Sequence, residues 1–205
     1  MDGGVWPGIE SAARHGASAR CPPPRASRTL LPVRIIPHAH PDPSRMTDAP
    51  AIRPATAADG DTFLALVDAL ADYEKLDRPT PEARRRLLRD AFGERPRISV
   101  FLAERGGRAV AYAIVLETYS SFLALPTLYL EDLFVLPDER RGGIGRAMIR
   151  YLADEALRRG CGRMEWVVLD WNQLAIDFYD KLGARRLSEW YTYRLTADQL
   201  REIAA

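Results

Sequence analysis

A strand that ends in a glycine-rich turn and restarts as a helix constrains this chain more than any other feature. Residues 128–136 form an apolar run broken only by Glu131 and Asp132, and Arg140-Arg141-Gly142-Gly143-Ile144-Gly145 follows it. From there Ile144, Met148, Tyr151, Leu152 and Ala156 recur at the spacing of one helix face, with Arg150, Asp154 and Arg158 on another. Such a stripe packs on a sheet. The next apolar run, residues 163–169, then reads as a buried strand parallel to the first, joined to it by a right-handed helical crossover. The first amides of the helix have no intrahelical acceptor, and the positive end of the helix dipole points the same way, so the turn is suited to an anion. Glycines there let a pyrophosphate approach the backbone and admit φ values that side chains resist.

Two common phosphate loops can be compared directly. A Walker loop requires Gly-Lys-Ser/Thr, where this chain has Gly145-Arg146-Ala147, which argues against a nucleotide-hydrolysing P-loop. A dinucleotide fingerprint would run Gly143-x-Gly145-x-x-Gly, but Met148 occupies the third glycine position. Asp170 does end a later apolar strand, so an NAD-binding alternative stays open.

The remaining pattern fills in a mixed α/β sheet of order βααβββαβαβ. Residues 51–54 read as an edge strand, and Thr56 caps a helix to Asp72 with Phe63, Leu66, Val67 and Leu70 inward. A second helix follows Pro81 through Leu87, Leu88 and Phe92. Residues 98–105 and 109–117 form a hairpin about Gly106-Gly107, and residues 128–136 extend the meander. Asn172 caps a helix to Leu182, and residues 185–195 supply a terminal strand.

Composition divides the 205 residues in two. Residues 1–45 hold eight of the 15 prolines, six arginines against three acids, and all three histidines, with no apolar period. Such a segment cannot bury enough surface to offset its chain entropy and is expected to be a disordered Pro/Arg-rich extension. It could be translated upstream of a natural start at Met46, be an organellar transit peptide, or be a regulatory arm. Its prolines oppose a transit-peptide helix, and the 27 arginines against two lysines in the whole chain hint at a GC-rich coding sequence, which favours the first. Residues 46–205 form the folded domain. Its 23 basic and 25 acidic residues turn the nominal +1 into −2, so no basic face for nucleic acid is expected. There is no 18-residue apolar run, and a soluble, cytoplasmic protein without membrane contact is expected.

With no histidine in the domain, Ser-His and Cys-His catalysis are excluded there, and proton transfer falls to carboxylates, tyrosine, lysine or water. Cys21 and Cys161 make neither a disulfide framework nor a metal quartet, and Cys161 reads as a small buried hydrophobe. No metal is expected.

Arg140-x-x-Gly143-x-Gly145 is similar to the Arg/Gln-x-x-Gly-x-Gly/Ala signature of the GNAT superfamily of N-acetyltransferases. Tyr129-Leu130-Glu131-Asp132-Leu133-Phe134-Val135, Trp171-Asn172, Phe178-Tyr179, Leu182-Gly183-Ala184 and, upstream, Tyr73-Glu74 resemble the diamine (spermidine/spermine) acetyltransferase branch. The resemblance covers residues 51–195. It implies the GNAT fold with a β-bulge near Glu131, acetyl-CoA as cosubstrate, and a homodimer sharing C-terminal strands. It also implies a coenzyme site at Leu133, Phe134, Val135, Arg140, Arg141, Gly142, Gly143, Ile144, Gly145, Arg146, Asn172 and Ala175. Tyr179 would be the general acid and Glu131 the water-mediated base, and Tyr73, Glu74, Glu131 and Asp132 would bind a small cationic amine. Residues 120–126 lack the acid and tryptophan that animal polyamine enzymes carry there, and Lys181-Leu182 replaces a basic pair.

Each of these residues has a plainer reading. The glycines could make only a tight turn, Tyr179 could be a core aromatic, and Glu74 with Asp72 and Asp77 a solvated helix end. On a regular strand Glu131 and Asp132 point to opposite faces, so both serve one cleft only if the strand is bulged. Trp171 reads as a packing residue. Rival functions are acetylation of a protein N-terminus or lysine, and non-catalytic sensing of acetyl-CoA.

Overall fold

The computed structural model describes residues 49–205; the extension expected at residues 1–45 lies outside the described residues. Five strands form one sheet in chain order: β1 (Ala51–Pro54), β2 (Ser99–Arg105), β3 (Arg108–Ser120), β4 (Leu125–Val135) and β5 (Arg163–Glu165). The first four pair antiparallel and β4 pairs parallel with β5, as the helical crossover between them requires. Strand alternation sends each face to its own core. Phe101, Ala103, Ala111, Ala113, Val115, Leu128 and Leu130 meet Ile144, Met148, Leu152 and Ala156 of α3 (Ile144–Arg158). Val100, Leu102, Tyr112, Ile114 and Phe134 meet Phe63 and Leu66 of α1 (Gly60–Glu74) and Ala91 of α2 (Pro81–Phe92). Full burial of side chains such as Phe63 or Leu152 contributes roughly 1.5–3 kcal/mol each.

Local chemistry sets the element ends. Thr56 and Asp59 close a capping box around a 3-10 turn, so the α-helix begins at Gly60 rather than directly after Thr56. Thr80 accepts a hydrogen bond from Ala83 N ahead of Pro81, and Asn172 accepts one from Ala175 N at the start of α4 (Gln173–Lys181). The α3 stripe holds as expected, except that Tyr151 is only partly buried, 5.4 Å from the Phe101 ring. Cys161 is buried and free.

Two expectations are corrected. The strand expected over residues 163–169 ends at Glu165, and Val167, Val168 and Leu169 are exposed. The last ladder pair is Tyr129 with Glu165, and β4 bulges two residues later; a bulge raises the local twist and carries β4 away from its neighbour. The terminal strand expected over residues 185–195 is not formed, and Trp190, Tyr191 and Tyr193 are 72%, 81% and 90% exposed. A strand needs a partner for its backbone groups, and the three-residue β5 at the sheet edge is too short to hold one. A helix absent from the sequence reading, α5 (Ala197–Ala204), follows a Thr196–Gln199 capping box. Among the described residues no helix is long and apolar enough to cross a membrane.

Candidate active site

The bulge in β4 decides which carboxylate goes where. Val115 lies opposite Leu130 and Ile114 opposite Asp132, so Glu131 is the extra residue. Leu130 faces the α3 core; without the bulge Asp132 would share that face and bring a carboxylate against Ile144 and Met148. The skipped residue turns Asp132 and Phe134 to the α1 side and returns Leu133 and Val135 to the α3 side. Glu131 is left exposed at the bulge.

On the α1 side Tyr112 Oη donates to Asp132 Oδ2 at 3.0 Å. Burial pushes the Asp132 carboxyl up to about 6; the tyrosine bond opposes this, and the negative charges of Glu131 and Glu74 add to it. Glu74, half-buried at the end of α1, also acts on Tyr112, whose phenol is held well above its ordinary range chiefly by burial. Aromatic rings continue outward: Tyr112 to Phe134 at 6.3 Å, Phe134 to Tyr73 at 6.3 Å, and Tyr73 to Trp171 at 6.4 Å. Arg140 lies over this row, 4.2 Å from the Tyr73 ring centre and 5.6 Å from that of Phe134. Its Nε donates to Val135 O at 3.0 Å.

Beside the acids, two backbone features can receive a second ligand. The β5 ladder covers only residues 127–129 of β4, so Leu133, Phe134 and Val135 have β3 on one side and no strand of the described residues on the other. An extended amide chain can pair with such an edge. At the turn, Gly143 has φ 81° with open space where a Cβ would stand, and Arg141 also has positive φ, at 66°. Left-handed residues in a turn make amide concavities that hold anions. Ala147 N, donating to Gly143 O, is the first helical donor, so the amides of Ile144, Gly145 and Arg146 before it have no intrahelical acceptor. Arg105 fixes the turn from behind, donating to Gly142 O at 3.1 Å and Glu139 at 3.2 Å. These groups fit a diphosphate with an amide-bearing arm. Exposed Arg141 and Arg146 flank it with charge.

The other wall is α4. A Cβ on Gly145 would stand 3.5 Å from Phe178 Cζ, so α4 seats against the start of α3. Tyr179 packs on Trp166 at 5.0 Å and on Phe178 at 5.3 Å, and burial raises its phenol to about 12, so it keeps its proton through neutral pH. Asn172 is occupied as a cap for Ala175 N. Among the described residues no group of three His, Cys, Asp or Glu could hold a metal ion.

The sequence model of the acetyltransferase (GNAT) family matches residues 63–184. The chain belongs to that family. As a GNAT enzyme it is an acetyltransferase acting on amines, in a family that uses acetyl-CoA. It is 36% identical over 164 residues to a thialysine N-epsilon-acetyltransferase of Sus scrofa, covering 75% of this chain and 96% of the relative. It is 32% identical over 163 residues to the spermidine/spermine N(1)-acetyltransferase-like protein 1 of Homo sapiens, covering 75% of this chain and 23% of that one. An integron cassette protein from the mobile metagenome of V. cholerae has the same fold, with a TM-score of 0.66 at 22% identity over 76% of this chain and 98% of the other. The GNAT fold expected from the signature, with its bulge at Glu131, is the fold observed.

Three contacts of this GNAT site escaped the sequence reading. Tyr112 was legible in principle, as a lone phenol in the apolar run of β3 that needs an acceptor once buried. The stacking of Arg140 on Tyr73 was not, because 67 positions of chain separate them. Trp171, expected to pack, is 55% exposed beside Tyr73.

Proposed function

We propose that this GNAT enzyme transfers the acetyl group of acetyl-CoA to a primary amine of a small cationic substrate, a diamine, polyamine or lysine-like molecule. The grouping of Glu74, Glu131 and Asp132 around the bulge carries this assignment, because three acids that accept no hydrogen bond from a basic side chain among the described residues favour a cation. The similarity to a thialysine N-epsilon-acetyltransferase and to a spermidine/spermine N(1)-acetyltransferase-like protein supports it.

Acetyl-CoA supplies an acyl thioester. The amides at 141–146 and the side chains of Arg140, Arg141 and Arg146 would hold its diphosphate, and the open edge at Leu133, Phe134 and Val135 its amide-bearing arm, with Asn172 and Ala175 across the cleft. Tyr73, Glu74 and Asp132 would bind the amine. At neutral pH an alkylammonium must lose a proton at a cost of roughly 4 kcal/mol before it can attack. Glu131, exposed at the bulge, would take that proton through a water. Nitrogen then bonds to the acyl carbon, the carbon–sulfur bond breaks, and Tyr179 gives its proton to the departing thiolate; the acylated nitrogen sheds its extra proton to water, and the phenolate regains one from solvent. Its raised phenol keeps that proton until it is needed. Homodimer formation through residues 185–195 would cover their exposed aromatics.

Acetyl-CoA-dependent thiol release with putrescine, spermidine, spermine, lysine, thialysine and a lysine-containing peptide tests this. Turnover is expected with a small amine. Turnover with the peptide alone transfers the activity to a protein substrate, and coenzyme binding without any turnover makes the domain a sensor.

A further inference from the structure

Tyr112 interrupts the run Ala111-Tyr112-Ala113-Ile114-Val115 and is fully buried. Its ring is fixed by the core, edge-on to Phe63 at 5.5 Å and tilted against Phe134 at 6.3 Å, and Phe63 is itself edge-on to Phe92. The phenol oxygen lies on the ring axis, so packing sets its position before any partner arrives. That oxygen bonds Asp132 Oδ2, and Oδ1 accepts no hydrogen bond among the described residues. The bulge turns the same carboxylate to the side where Glu74 ends α1.

We propose that Tyr112 is a positioning residue, which holds Asp132 by one oxygen so that the other faces the substrate ammonium beside Glu74. This rests on the amine-acetyltransferase assignment above. The titratable groups acting on Asp132 are Tyr112 from β3, Glu131 from β4 and Glu74 from α1. Burial and the two acids disfavour its charge; the Tyr112 hydrogen bond favours it. Removing that hydroxyl therefore leaves a carboxylate that is harder to ionise and free to turn. A bound cation acts in the opposite direction, lowering the Asp132 pKa by linkage.

The test joins carboxyl NMR titration of Asp132 in the full chain, with and without spermidine or thialysine, to steady-state kinetics of the wild type, Tyr112→Phe and Asp132→Asn. Phenylalanine keeps the ring packing. Tyr112→Phe is expected to move the Asp132 titration to higher pH and raise the amine KM about tenfold, the scale of one hydrogen bond to a charged group. The acetyl-CoA KM should stay within about twofold, well short of that tenfold change. Saturating amine should move the wild-type Asp132 titration to lower pH. A Tyr112→Phe enzyme with unchanged titration and amine KM overturns the proposal, as does Asp132→Asn with a wild-type amine KM. If an amine is acetylated yet leaves the Asp132 titration unmoved, the positioning role fails and the acetyltransferase assignment stands. If an amine moves it and none is acetylated, the positioning role stands and the assignment fails.

Discussion

The guanidinium of Arg140 stacks 4.2 Å from the centre of the Tyr73 ring while its Nε holds the carbonyl of Val135. The first residue of the glycine motif thus ties the end of α1, which carries Tyr73 and Glu74, to the end of β4. One side chain spans the proposed amine pocket and the proposed coenzyme strand.

From that contact, Arg140→Ala is expected to raise the KM of both acetyl-CoA and the amine. The stacking should be worth about 1 kcal/mol, as for partly exposed cation–π pairs. A double-mutant cycle with Tyr73→Leu, read by denaturant unfolding, measures it; zero coupling would falsify the link.

Tyr179→Phe should lower kcat by about 10²–10⁴, the usual worth of a positioned acid, while acetyl-CoA affinity is retained. Single-turnover kinetics with a calorimetric coenzyme titration separate the two effects. Unchanged turnover removes Tyr179 from the chemistry.

Asp132 carries a stability cost that depends on pH. Its folded pKa, about 6, lies above the ordinary 3.8. The stabilisation from its bound proton is therefore complete below 3.8 and is lost as pH rises through 6. The loss is of the order of 3 kcal/mol at 1.36 kcal/mol per pH unit. Asp132→Asn should thus raise the melting temperature more at pH 8 than at pH 5, and weaken amine turnover at both. Equal shifts at the two pH values would show that its charge is not the source.

Gly143→Val places a branched side chain at φ 81°, at a cost of about 1–2 kcal/mol. Open space around that position leaves the fold intact, so circular dichroism should be native while acetyl-CoA binding is abolished. Normal binding would remove the turn from the coenzyme site.

Trp190, Tyr191 and Tyr193 lie on a segment with no regular structure and are largely exposed. If they mediate a homodimer, Trp190→Asp with Tyr193→Asp should halve the mass found by sedimentation. A wild-type monomer would refute the dimer outright.

Much of this was readable one residue at a time. The stripe of α3, the caps at Thr56, Thr80 and Asn172, the Gly106-Gly107 hairpin and the left-handed Gly143 depend on backbone geometry and near neighbours, which the order of residues fixes directly. The bulge could be anticipated, because Glu131 and Asp132 sit side by side in an apolar strand. The capping box of α5 is equally legible, in Thr196 followed three residues later by Gln199.

What the sequence determined by itself, then, was the fold's periods and punctuation, together with the inventory of groups available for proton transfer. Only tertiary structure decided their destinations. Strand alternation has period two, so one skipped residue exchanges every later side chain between faces, and the register against Ile114 and Val115 selected Glu131 as the one skipped. The same bend left β5 three residues long and residues 185–195 without a ladder. It also brought Tyr112, Asp132 and Glu74 into one another's fields across 58 positions of chain, an arrangement set by how three elements pack.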